Sequence, residues 1–159
     1  MTLATGVAVA LLALPALASA QLFNPDDDFI NKASAIARAN LDKARLSNGQ
    51  PVPKETAEEL ARPIVPAELD AQTVRRGSLS GEMQVCGMDW LQESFRPYMA
   101  KLRAGNRYND KQLAYLGMLH GVSQGVVYNA MRQHVRSCSA GTKKQLSETA
   151  VLQLGLALP

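Results

Sequence analysis

The sequence predicts an all-α fold: a small helical bundle with one disulfide, preceded by a helical N-terminal arm. Three observations lead there. Apolar residues recur at helical spacing in several stretches, Trp90, Leu91, Phe95, Tyr98, Met99 and Leu102 among them. Capping and turn residues bound those stretches. No run alternates apolar and polar residues as a half-buried strand would. With 159 residues, 47% hydrophobic and 19% charged, the chain has a globular composition and the length of one domain with room for an arm. A full (β/α)8 barrel does not fit in this length.

Residues 1–20 read as a secretory signal peptide. Met1 to Ala20 has no charged side chain and is mostly Ala, Leu and Val. Pro15 breaks the apolar run, and Ala18-Ser19-Ala20 forms a small-residue exit with cleavage expected before Gln21. An uncleaved membrane anchor is the rival reading, since the segment is just long enough to span. Cleavage leaves a soluble periplasmic or secreted chain, 21–159, with no stable membrane span. In an exported protein Cys86 and Cys138 are expected to pair. For a loop of this length the chain-entropy model gives such a bridge ~4 kcal/mol.

The first segment, 21–81, reads as an arm and linker. Asp26-Asp27-Asp28 caps a helix that carries Phe29, Ile30, Ala33, Ile36, Ala37, Leu41 and Ala44 at helical spacing. Ser47-Asn48-Gly49 ends it, and Pro51 and Pro53 stiffen the loop that follows. A short helix is expected over 54–61, with another turn or two over 66–76. Gly77-Ser78-Leu79-Ser80-Gly81 reads as a flexible linker, and the arm is equally compatible with docking or freedom.

The second segment, 82–159, reads as the disulfide-stapled domain. Asp89 is an N-cap for the stripe from Trp90 to Leu102, and Pro97 makes that helix kink or restart near Ser94. Trp90 is expected to lie on the disulfide. Asn109 or Asp110 caps a long helix reaching about Arg136, with Leu113, Leu116, Val127, Met131 and Val135 on its apolar face. Thr142-Lys143-Lys144-Gln145 reads as a capping box for a last helix that turns Leu146, Ala150 and Leu154 inward.

The long helix carries the residues that invite functional readings. Gly117, Gly121 and Gly125 recur every four residues on one face. Each costs the helix about 0.5–1 kcal/mol relative to Ala, so close approach of another backbone is expected there. That neighbour is a helix of the same chain or a second subunit; alternatively the groove holds a ligand. His120 and Gln124 can lie side by side; His120 reads as a core histidine satisfied by Gln124 or a carbonyl, or as a pH sensor. Gly121-Val122-Ser123-Gln124-Gly125 spells G-x-S-x-G, but the strand-turn-helix elbow that activates such a serine is missing. No catalytic residue, metal site or cofactor is assigned, and the chain reads as a non-enzyme. His134 lies ~21 Å along the helix from His120, too far to share a metal.

Charge is divided unevenly. Residues 21–80 hold 8 basic and 9 acidic side chains, and residues 81–159 hold 9 and 5. Arg96, Lys101, Arg103, Arg107, Lys111, Arg132 and Arg136, with Lys143 and Lys144, form a basic set that could meet an anionic partner or simply face solvent. Export and the lack of a recognised module argue against nucleic acid.

Cys86, the helix start Asp89-Trp90-Leu91, the run Glu93-Ser94-Phe95-Arg96-Pro97, and Cys138 before a polar helix together resemble the small periplasmic acid-stress chaperones of the HdeA type. The resemblance covers 86–159. It implies a homodimer at neutral pH that opens in acid and shields unfolding client proteins. The long segment before it and the five carboxylates of 82–159 depart from that pattern. Tyr115 to Tyr128, followed by Cys138 and a capped helix, is also similar to some disulfide-bonded immunity proteins of type VI secretion. The expected function is protein binding with chaperone-like protection; the alternative is a periplasmic inhibitor or immunity protein working through the basic helical face.

Overall fold

A computed structural model describes residues 23–159; the expected signal segment, 1–20, lies outside them. Six α-helices follow in order: α1 Asp27–Ala39, α2 Ala57–Leu60, α3 Ala67–Val85, α4 Arg96–Ala104, α5 Asp110–Met131 and α6 Ala140–Gly155. The described residues contain no strand, only an isolated bridge between Arg45 and Pro51. The all-α bundle is as expected, and Cys86 and Cys138 form its disulfide.

Local chemistry explains most helix starts. The Asp26 carboxylate accepts from the Phe29 amide at the head of α1. Thr56 and Glu59 make a capping box for α2, as Asn109 and Gln112 do for α5. Ser139, not Thr142, caps α6: its hydroxyl accepts from the Thr142 amide, so the helix begins one turn earlier than the sequence suggested. Helix α5 stops at Met131, short of Arg136. Helix α1 stops at Ala39, with a 3-10 turn over Leu41–Lys43 instead of a continuation to Ala44.

The largest correction concerns residues 77–81. They are not a linker. They lie in the middle of α3, all five are buried, and α3 with α5 forms the most extensive helix pair. Gly and Ser are poor helix formers in isolation, but tertiary packing overrides propensity where small residues let two helices touch. The division into an arm ending at 81 and a domain starting at 82 therefore cuts through one continuous helix. The arm itself is docked: Ile30, Ala33 and Ala37 of α1 share a core with Leu69, Val74, Leu102, Leu116 and Leu119. A second cluster joins Leu79, Met83 and Cys86 to Leu146 and Ala150, with Trp90 and Cys138 against it.

Before α4 the chain makes one π-helical turn, Leu91–Phe95. Pro97 causes the local disturbance, because it has no N–H to give to the Glu93 carbonyl one turn back. Arg76 supplies the missing donor. Its Nη2 reaches the Glu93 carbonyl at 3.3 Å and the Ser94 carbonyl at 3.0 Å. A buried cation on α3 thus repairs a backbone defect on the neighbouring element.

Candidate functional site

Two faces of α5 have opposite characters. On the side toward α3, a Cβ added at Gly77 would lie 2.5 Å from the His120 carbonyl oxygen, and one at Gly81 would lie 2.7 Å from the Gln124 carbonyl oxygen. No side chain fits there. The close-approach glycines are therefore Gly77 and Gly81 of α3. The glycine stripe of α5 does not do that work: among the described residues a Cβ at Gly121 or Gly125 would meet nothing within 4 Å, and one at Gly117 only the Met99 methyl at 3.9 Å.

Gly117 and Gly121 instead line an open groove of about 830 Å³ between α4, α5 and the loop over Ala44–Ser47. Phe95, Met99, Met118 and Val122 give it apolar walls, while Arg45 and Arg103 stand on it as cations. Asp110 is also there, with its carboxylate accepting from the Ser47 hydroxyl. Because the glycines carry no side chain, a bound segment could reach the α5 backbone. Gly125 does not line this groove.

Between α3, α5 and the π turn lies a buried polar centre. Ser80 Oγ is 3.0 Å from His120 Nε2 and donates to Ser94 Oγ at 2.7 Å. His120 stacks on Trp90 with ring centroids 6.2 Å apart and lies 4.8 Å from Phe95. Burial, with the nearby Arg76 charge, pushes the His120 pKa down to about 3, so the ring is neutral at pH 7. Arg76 is also buried, which lowers its pKa to about 10 and still leaves it charged. Glu82 is pushed up to about 7 by burial, and its carboxylate accepts from the Phe23 amide.

The expected His120–Gln124 pairing is not the one observed: His120 meets Ser80, while Gln124 donates to Gln84. Ser123 is buried in mid-helix and donates to the Leu119 carbonyl at 2.9 Å, so G-x-S-x-G here is ordinary helix. Among the described residues no three His, Cys, Asp or Glu side chains gather as metal ligands, and no helix is long and apolar enough to cross a membrane.

The basic set is divided. Lys101 donates to the Leu154 carbonyl at 2.6 Å and also to that of Leu156. Arg107 holds Leu158 and Pro159 oxygens at 3.2 and 2.9 Å, and Lys111 pairs with Glu59 at 2.7 Å. Arg132 lies over the Tyr128 ring. Arg96, Arg103, Arg132 and Arg136 are exposed. Three of the seven cations thus fasten the chain to itself, so the set is not one free basic face.

Sequence reasoning missed Arg76, Ser80 and Ser94. Arg76 ends a stretch expected to hold only a turn or two, and Ser80 falls in the supposed linker. The available signal was Pro97, whose missing N–H leaves the Glu93 carbonyl in need of another donor. No protein-family model, no curated protein and no solved structure matches the chain.

Proposed function

We propose that this chain is an exported, non-enzymatic protein that binds other polypeptides, with chaperone-like protection of unfolding clients in the periplasm or outside the cell. The groove floored by Gly117 and Gly121 is the observation that carries the reading. It is open, has apolar walls and a volume of about 830 Å³, and its glycines let a bound segment approach closely. Arg45 and Arg103 at the groove favour an apolar segment with acidic flanks.

The buried centre adds an acid response. Protonating His120 would place a second cation beside Arg76 in a core where only neutral groups face it: Ser80 from α3, Trp90, Phe95 and Ser94 from the π turn and its flank. Such a pair favours opening of the α3–α5 contact. The rival inhibitor or immunity reading draws less support, because Lys101, Arg107 and Lys111 are held within the chain.

The test uses Gly121→Trp, which fills the groove without touching the α3 contact. Aggregation of an acid-unfolded client is followed by light scattering at neutral pH and at pH 3. Protection by the mature protein, reduced at least tenfold in potency by the substitution while circular dichroism is unchanged, supports the proposal. No protection at either pH, or equal protection by the variant, overturns it. Fractionation with N-terminal sequencing tests export separately, with a start at Gln21 expected.

A further inference from the structure

Arg76 is 1% exposed and carries a charge that no carboxylate offsets. Its contacts are all backbone carbonyls: Ser94 through Nε and Nη2, Glu93 through Nη2, and Ala150 through Nη1 at 2.5 Å. A guanidinium has five N–H donors, and these contacts leave one on Nη1. Carbonyl dipoles solvate a cation in part but do not neutralise it. An unneutralised buried charge is a costly feature and calls for a counter-ion.

Arg76 lines a cavity of about 100 Å³. Arg75, Gln72, Tyr98 and Gln153 line it with Arg76, and Leu156 and Leu158 contribute apolar surface. The Gln153 side-chain oxygen is buried without a hydrogen-bond partner among the described residues. The cavity thus holds two cations, two leucines and no acidic side chain in its lining. Its small size and apolar surface disfavour hydrated dianions such as phosphate. They suit a planar monoanion with a short hydrocarbon tail, the shape that pairs bidentately with a guanidinium.

We propose that this cavity is a binding site for a small aliphatic monocarboxylate, with its carboxylate toward Arg76 and Arg75 and its alkyl part against Leu156 and Leu158. The site is separate from the groove on α5, so this proposal stands or falls independently of the protein-binding function. Leu156 and Leu158 belong to the C-terminal tail held by Lys101, Arg107 and the Tyr108 hydroxyl, so a ligand here would also brace that tail.

The experiment is an NMR titration of the mature, disulfide-bonded protein with butyrate, and in parallel with 1-butanol and with inorganic phosphate. Saturable shifts of Leu156, Leu158 and Gln153 signals are expected with butyrate, with affinity at least tenfold weaker for the other two. Arg75→Gln changes an exposed side chain and leaves the core intact; it should weaken butyrate several-fold. Arg76→Met, if folded, should abolish it. Absence of saturable butyrate shifts, equal binding of butanol, or unchanged affinity in Arg75→Gln would each overturn the proposal.

Discussion

Helix α5 has one closed face and one open face, and glycines serve both in different ways. Toward α3, Gly77 and Gly81 exist because a Cβ would collide with the α5 backbone at 2.5 and 2.7 Å. Toward the groove, Gly117 and Gly121 leave space that none of the described residues fills. The same residue type therefore marks a seam in one place and a vacancy in the other. A seam is costly to alter and sets the fold; a vacancy is cheap to fill and is available for binding.

The largest expected effect falls on α3, the helix that closes one face. Reducing the Cys86–Cys138 bridge, which ties the end of α3 to the start of α6, should lower unfolding free energy in urea by ~4 kcal/mol. The groove lies beyond the cluster that holds this bridge, so groove-lining NMR signals should move little. Loss of the groove on reduction would show that the two faces are not separable.

The next effect concerns pH. Glu82, raised from 4.5 to about 7, takes up its proton in the folded state first, so acidification from pH 7 to 4.5 favours the fold. His120, lowered from 6.5 to about 3, takes up its proton only when unfolded, so acidification from pH 6.5 to 3 opposes the fold. From pH 6.5 to 4.5 the two oppose each other, and below 4.5 the histidine acts without that offset. His120→Gln keeps a partner for Ser80 and removes the titration. Relative to the wild type, it should gain up to about 2–3 kcal/mol between pH 6.5 and 4.5. Parallel pH dependence of the two proteins in urea melts would remove His120 from the account.

A smaller effect is expected at the tail. Arg107→Ala removes two hydrogen bonds to Leu158 and Pro159 oxygens from an exposed site, so a loss of about 1 kcal/mol or less is expected. Amide exchange at Leu156 and Leu158 should rise well before global stability changes. Gly125→Ala should have the least effect, between zero and a gain of about 1 kcal/mol, because its Cβ enters open space on a helix.

Much of this comparison was hidden in the sequence for one physical reason. Helical spacing tells which residues share a face, but not what the face meets. The Asp26, Asn109 and Pro97 signals were legible because capping and the missing proline donor act within a few residues. The Cys86–Cys138 pairing was legible because only two cysteines exist. Gly77 to Gly81 was misread because two glycines and two serines in five residues resemble a linker until a second helix is placed on them. Gly117, Gly121 and Gly125 were legible as a stripe, and the groove at Gly117 and Gly121 needed α4 and the Ala44–Ser47 loop to become visible. Arg76 depends on three elements far apart in sequence, so no local pattern exposes it.

The most direct test sets the two faces side by side. Unfolding free energies of Gly77→Ala and Gly121→Ala are measured in urea against the parent chain. Gly77→Ala should lose about 3 kcal/mol, since neither the His120 carbonyl nor Ser123 can yield without moving α5. Gly121→Ala should match or exceed the parent by up to about 1 kcal/mol. Equal losses at both positions, or a larger loss at Gly121, would contradict the assignment of a closed seam and an open groove.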